Sequence, residues 1–147
     1  MIARMSEQPP AAPSAAKPEG PAKPEGPAKP ESAEKPENPE DRKLITLARS
    51  ARARNGVPEG AAVRDETGRT YVAGTVDLAS LRLTALQTAV AMAVASGAKS
   101  LEAAAVVTAA GTPADADRAA VRDLGGPGTP VILAGPDGTV RTTVPAG

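Results

Sequence analysis

The sequence predicts an α/β domain of three α/β/α layers, a mixed sheet of about five strands with helices on both faces, behind a disordered N-terminal tail. Three observations carry this. Segments with helical apolar spacing alternate with short strand-like runs along residues 41–147. Two of those runs, LEAAAVVTA at 101–109 and PVILA at 130–134, are apolar almost throughout, as in strands covered on both faces. Residues 1–39 hold ten of the sixteen prolines and read differently from the rest.

The tail comes first. From Ala16 it reads AKPEGP, AKPEGP, AKPESA, EKPENP, a drifting hexapeptide repeat. Proline at this density removes backbone donors and favours polyproline II. With few apolar residues beyond Ala and Pro, the segment buries too little surface to offset its ordering entropy. The expected division is a disordered Pro/Lys/Glu tail at 1–40 and a folded domain at 41–147.

Within the domain, Asp41 is placed to cap a helix reaching about Arg54, with Leu44, Ile45, Leu47, Ala48 and Ala51 facing the core and Asn55-Gly56 as its stop. A hairpin follows: Ala61–Asp65, a turn at Thr67-Gly68, then Arg69–Ala73. Ser80 opens a long helix to about Ser96, carrying Leu81, Leu83, Leu86, Ala89, Val90, Ala93 and Val94, and Gly97 closes it. After the strand at 101–109, Thr112 as N-cap, Pro113 at N1 and Asp115 at N3 open a helix that ends at Leu124. The strand at 130–134, a Pro136-Asp137-Gly138 turn and a short strand at 139–144 complete the chain.

Composition excludes several function classes. The 147 residues contain no Cys, which removes disulfides, iron–sulfur clusters and thiolate zinc sites. They contain no His, the commonest zinc ligand and general base. Seventeen Lys and Arg balance seventeen Asp and Glu, so no net field draws in nucleic acid. Tyr71 is the sole aromatic residue, too little for a base-stacking platform. No apolar run has the length of a membrane span and no signal-peptide stretch opens the chain; the expectation is a soluble cytoplasmic protein. Gly125–Gly128 has no following Gly-Lys-Ser/Thr and reads as a helix stop.

Three stretches in this order resemble the cytidine deaminase family. VPEGAAVRDETGRTYVAG at 57–74 resembles that family's first hairpin, with its VGAAL…DG…Y.G pattern. LTALQTAVAMAVASG at 83–97 resembles its first metal-binding helix. VVTAAGTPADADRAAVRDLG…TPVILAGPDG at 106–138 is similar to the segment from its third strand through its second metal-binding helix and fourth strand. The resemblance implies the cytidine deaminase-like fold and a domain that assembles into dimers or tetramers.

What the resemblance implies for chemistry is different. The family uses a zinc ion held by three Cys or His side chains, which lowers the pKa of bound water from about 15.7 to about 7, and a Glu that moves protons. Its (Cys/His)-Ala-Glu motif falls on Thr84, Ala85 and Leu86. Its Pro-Cys-x-x-Cys-Arg motif falls on Pro113-Ala114-Asp115-Ala116-Asp117-Arg118. Pro113 and Arg118 match; the ligand positions are Thr84, Ala114 and Asp117, and Leu86 stands where the Glu would be. The implied protein has no catalytic residue of the family's kind, no metal ligands and no cofactor. Val57 occupies the place of a Phe, and Thr75-Val76-Asp77 is the nearest match to a sugar-binding Asn-x-Glu. The candidate residual cleft is Val57, Thr75, Asp77, Thr84, Ala85, Pro113 and Arg118, and its expected partner is a nucleoside or nucleotide.

Read without the resemblance, Thr84 is a helix hydroxyl, Leu86 a core residue, Asp77 a capping or turn residue, and Asp117 and Arg118 first-turn charges of a solvated helix. Three functional readings follow. The first is a pseudoenzyme that binds a nucleoside or acts as an oligomeric scaffold. The second is a zinc-independent or residual nucleoside deaminase, needing a metal on Thr84, Asp117 and water. The third is an RNA- or ribosome-associated protein using the basic residues Arg42, Lys43, Arg49, Arg52 and Arg54, which form a wet helix face on the plainer reading.

Overall fold

The computed structural model describes residues 38–147. The expected tail therefore lies almost wholly outside the described residues. Helix α1 spans Pro39–Asn55, followed by β1 (Gly60–Asp65), β2 (Thr70–Gly74), β3 (Val76–Asp77) and β4 (Arg82–Leu83). Then come α2 (Ala85–Ala95), β5 (Leu101–Val107), α3 (Asp115–Gly125), β6 (Pro130–Ala134) and β7 (Val140–Pro145).

Five strands form one mixed sheet in the order β2-β1-β5-β6-β7. Only β5 and β6 run parallel, Ala104 opposite Val131 through Val107 opposite Ala134; the other neighbours are antiparallel. The small β3–β4 pair stands apart from it.

Side-chain alternation along the strands divides the core in two. Ala62, Ala103, Ala105, Val107, Ile132 and Ala134 face Leu44, Ile45 and Ala48 of α1. Ala61, Val63, Ala104 and Val131 face Leu86, Ala89 and Val90 of α2 and Val121 of α3. This is the expected three-layer arrangement, with α1 on one face and α2 and α3 on the other. A core built largely from Ala brings backbones close: a Cβ at Gly60 would collide with the Ala48 carbonyl of α1.

Helix starts differ from expectation in three places. Asn38, not Asp41, caps α1 by accepting from the Glu40 amide at 2.8 Å. Asp41 instead accepts from Arg64 of β1 at 2.9 Å, and Arg64 also donates to Glu102 of β5 at 2.9 Å, tying helix to sheet. Thr84, not Ser80, caps α2, because Thr84 and Gln87 satisfy each other's backbone amides in a capping box. The four residues before Thr84 belong to the β3–β4 hairpin, so Leu81 is exposed rather than buried. Helix α3 begins at Asp115, not at Pro113: Ala114 holds an extended backbone and its carbonyl accepts the first helical bond from the Arg118 amide.

Candidate functional site

The carboxyl end of β5 is where the layers open. Beyond it lies a cleft of about 460 Å³, within the ~300–1,000 Å³ typical of small-molecule sites. Arg52 of α1 and the Pro58-Glu59 approach to β1 form one side. The β3–β4 hairpin forms another, and the N-terminus of α2 with Thr108 and Ala109 completes the wall.

Thr84 is the pivot of the site. Its hydroxyl accepts from the Gln87 amide at 3.0 Å and donates to Asp117 Oδ1 of α3 at 2.5 Å. Asp117 is 1% exposed, which overturns its reading as a charge on a solvated helix. Burial pushes the Asp117 carboxyl up, the Thr84 hydrogen bond opposes this, and the negative charge of Glu59 adds to the upward push.

Glu59 is fixed at both ends. Its carbonyl accepts from the Thr75 amide at 3.2 Å, and its amide donates to Thr75 Oγ1 at 3.2 Å. Its carboxylate accepts from the Thr108 hydroxyl at 3.0 Å. Thr108 in turn accepts from the Ala110 amide at 3.1 Å, and its backbone amide donates to Ala134 of β6. Arg141 of β7 secures the same loop: its Nη1 donates to Ala110 O at 2.7 Å and Ala109 O at 3.2 Å. Glycine at 135 leaves room for that guanidinium, which a Cβ there would meet at 2.8 Å.

Of the candidate positions read from the sequence, Thr75, Asp77 and Thr84 line the cleft. Asp77 is paired with Arg82 at 3.2 Å across β3 and β4, both side chains about three-quarters exposed, so it neither caps nor begins α2. Val57 is half-buried near Gly74, outside the lining. Ala85 and Leu86 are fully buried in the core under α2. Pro113 is half-buried and Ala114 exposed before α3. Arg118 donates to Pro145 O at 3.0 Å, toward the C-terminal strand rather than the cleft. Sequence reasoning passed over Glu59, Thr108 and Gln87, and placed Arg52 on the basic face of α1 rather than in the cleft. Gln87 had a local signal, three residues after a cap threonine. Glu59 stands where the VGAA pattern has its Val, so a carboxylate replaces an apolar residue there.

These residues do not fit a zinc ion. The three matching positions offer a hydroxyl, a methyl and one buried carboxylate whose Oδ1 is held by that hydroxyl. Among the described residues, no group of three or more His, Cys, Asp or Glu stands together to hold a metal.

The basic positions of α1 are partly committed. Arg49 Nε donates to Pro136 O at 3.1 Å and Arg52 Nε to Pro58 O at 2.9 Å. Arg42, Lys43 and Arg54 are exposed.

A family model described as cytidine deaminase-like matches residues 37–138. The chain belongs to the cytidine deaminase-like family. Among solved structures, the cytidine deaminase of Burkholderia pseudomallei is 31% identical, with a TM-score of 0.63 over 71% of this chain and 91% of that one. The cytidine deaminase of Mycobacterium leprae is 24% identical, with a TM-score of 0.57 over the same shares. That of Mycobacterium tuberculosis is 23% identical, with a TM-score of 0.56 over 71% of this chain and 89% of that one. The last two likenesses show the fold alone. No curated protein matches the chain. Membership in the family is established with none of its Cys or His ligands present in the sequence. Among the described residues, no helix is long and apolar enough to cross a membrane.

Proposed function

We propose that this cytidine deaminase-like domain binds a nucleoside-class ligand in its cleft and does not carry out zinc-dependent deamination. The observation that carries the reading is the closure of Thr84 onto Asp117 at the cleft wall. Two positions that match metal ligands satisfy each other, while the cleft beside them stays open. Leu86, at the position of the proton-moving Glu, is sealed in an apolar cluster and has no proton to transfer. Fold and activity are separable, so a family fold does not restore either function. The test is calorimetric titration of cytidine into the full-length protein beside a deamination assay of the same sample. Saturable binding without uridine formation supports the reading; uridine formation, or no binding, refutes it.

A scaffold role gains support from one further observation. Leu78 and Leu81 on the β3–β4 hairpin and Met92 and Val94 on α2 are large apolar side chains 40–61% exposed. Self-association would cover such residues. Sedimentation at several concentrations tests it: a concentration-dependent shift, lost in Leu78→Ser/Leu81→Ser, supports an oligomer, and an invariant monomer refutes it.

A further inference from the structure

A second concavity lies between α1 and the turn that joins β6 to β7. It is a groove of about 360 Å³, and it shares no lining residue with the cleft. Arg42, Thr46, Arg49 and Ser50 line it from the helix, Asp137 and Gly138 from the turn. Spacings of four, three and one residue put the four helix positions on one side of α1. From Arg42 to Arg49 the helix rises only about 10 Å. Arg49 is held in place: its Nε donates to Pro136 O at 3.1 Å, which leaves both terminal nitrogens for another acceptor. Gly138 lies against the same side chain, where a Cβ would meet Arg49 Cδ at 3.5 Å. Neither arginine is in an ion pair among the described residues. The chain has no Asp or Glu from Arg42 to Pro58. Asp137 is the one acid in the lining, and its Oδ1 accepts from the Thr139 amide of its own turn at 2.9 Å. The groove therefore brings two uncompensated guanidinium groups to one concave surface.

We infer that this groove binds a small phosphate-bearing molecule, with its phosphate oxygens on Arg42 and Arg49. The planar guanidinium fork matches phosphate geometry, and the Ser50 hydroxyl adds a donor on the same stripe. The Pro136 contact fixes one arginine in advance, which lowers the entropic cost of binding. A small ligand fits better than a nucleic-acid strand. Lys43 and Arg54, the other exposed cations of α1, lie outside the lining. The formal net charge of zero and the single aromatic residue supply neither a wide field nor stacking surfaces. The groove stands apart from the cleft, so the inference does not depend on the nucleoside-class reading.

The experiment is calorimetric titration of the full-length protein with inorganic pyrophosphate and with a short oligouridylate, at low and at physiological salt. The variants are Arg42→Gln, Arg42→Gln/Arg49→Gln, Asp137→Asn and, as a control in the cleft, Arg52→Gln/Arg82→Gln. Positions 42, 49 and 137 are exposed, and Arg42→Gln alone keeps the Arg49 contact to Pro136; circular dichroism of each variant confirms folding. Pyrophosphate should bind one to one, more weakly as salt rises. Affinity should fall in Arg42→Gln and by about tenfold or more in the double variant. Asp137→Asn removes a negative charge, keeps an acceptor for Thr139, and should tighten binding several-fold. The cleft control should leave the affinity unchanged. Absence of saturable binding overturns the inference, as does binding that the Arg42 and Arg49 substitutions do not alter. A loss confined to Arg52→Gln/Arg82→Gln moves the anion to the cleft and overturns it too. Binding of the oligouridylate without binding of pyrophosphate overturns the small-molecule assignment in favour of a nucleic-acid backbone.

Discussion

Thr84 Oγ1 and Asp117 Oδ1 meet at 2.5 Å, joining the N-terminus of α2 to the first turn of α3. The same hydroxyl accepts from the Gln87 amide. One side chain therefore caps a helix, solvates a buried carboxylate and forms part of the cleft wall.

Thr84→Ala should destabilise the domain by about 2–4 kcal/mol. Loss of the cap accounts for about 1 kcal/mol, and a buried acceptor left without its donor for about 1–3 kcal/mol. Thr84→Ser should recover most of the loss, because it restores the hydroxyl. Urea unfolding of the three proteins decides the matter; an alanine variant as stable as the parent would show that the contact contributes nothing.

Two buried carboxylates should give opposite pH dependences. Burial pushes Asp65 up, but hydrogen bonds from Thr67, Tyr71 and Arg69 outweigh it and hold the group at about 2. Its folded pKa lies below the unfolded value near 4, so its contribution is present above about pH 4 and is lost as pH falls toward 2. Asp117 is shifted upward. Its contribution is present below the ordinary carboxylate value and is lost as pH rises through the raised one. Asp117→Asn, which keeps an acceptor for Thr84, should flatten the loss of stability as pH rises from the ordinary carboxylate value through the raised one. Melting temperatures across that range for parent and variant test this, and parallel curves would contradict it.

Arg141 should hold the loop after β5 in place. Arg141→Gln removes the donor shared by the Ala109 and Ala110 carbonyls. Amide hydrogen exchange in residues 108–114 should then speed up by roughly tenfold or more, the equivalent of about 1.4 kcal/mol of local protection, with β1 and β5 unchanged. Unaltered exchange in the loop would remove Arg141 from the account.

The family's metal positions should be recoverable as a frame. Elemental analysis of the purified protein is expected to give well under one zinc per chain. Thr84→Cys/Ala114→Cys/Asp117→Cys supplies three thiolates where the motifs match, leaving the fourth position of a tetrahedral zinc to water. Leu86 is left alone because it is fully buried and a Glu there would place a charge in the core. A folded triple variant should bind one zinc. Failure to do so would mean that the residue-by-residue match of α2 and α3 to the motifs is wrong.

Much of the fold was legible because its signals are local. The apolar run at 101–107 fixes one strand, and the Thr67-Gly68 turn between Ala61–Asp65 and Arg69–Ala73 fixes a hairpin, each without reference to the rest of the chain. Boundaries shifted where two local signals competed. Ser80 and Thr84 are both plausible caps by residue type, and only Thr84 has a glutamine three residues on to complete the box. Leu81 continued the apolar spacing of α2 into a hairpin that holds it in solvent. The site was less legible because it is made of distant contacts. Glu59 and Thr108 lie 49 residues apart, and Thr84 and Asp117 lie 33 apart. The motif match placed Thr84 and Asp117 at equivalent sites, and the structure joins them. Nothing in the sequence around Asp117 distinguishes a buried acid from the exposed Asp115 two residues earlier.

The central claim is that the family fold persists here with a binding cleft and without deamination. Without an activated water, hydroxide is scarce at pH 7, and without a Glu at position 86, acid–base help worth roughly 10²–10⁴-fold is missing. The most direct measurement follows the cytidine absorbance band for hours with protein in excess, with and without added Zn²⁺. The account predicts a rate equal to that of buffer alone in both conditions. Uridine formation that follows the protein peak through two successive columns would contradict it.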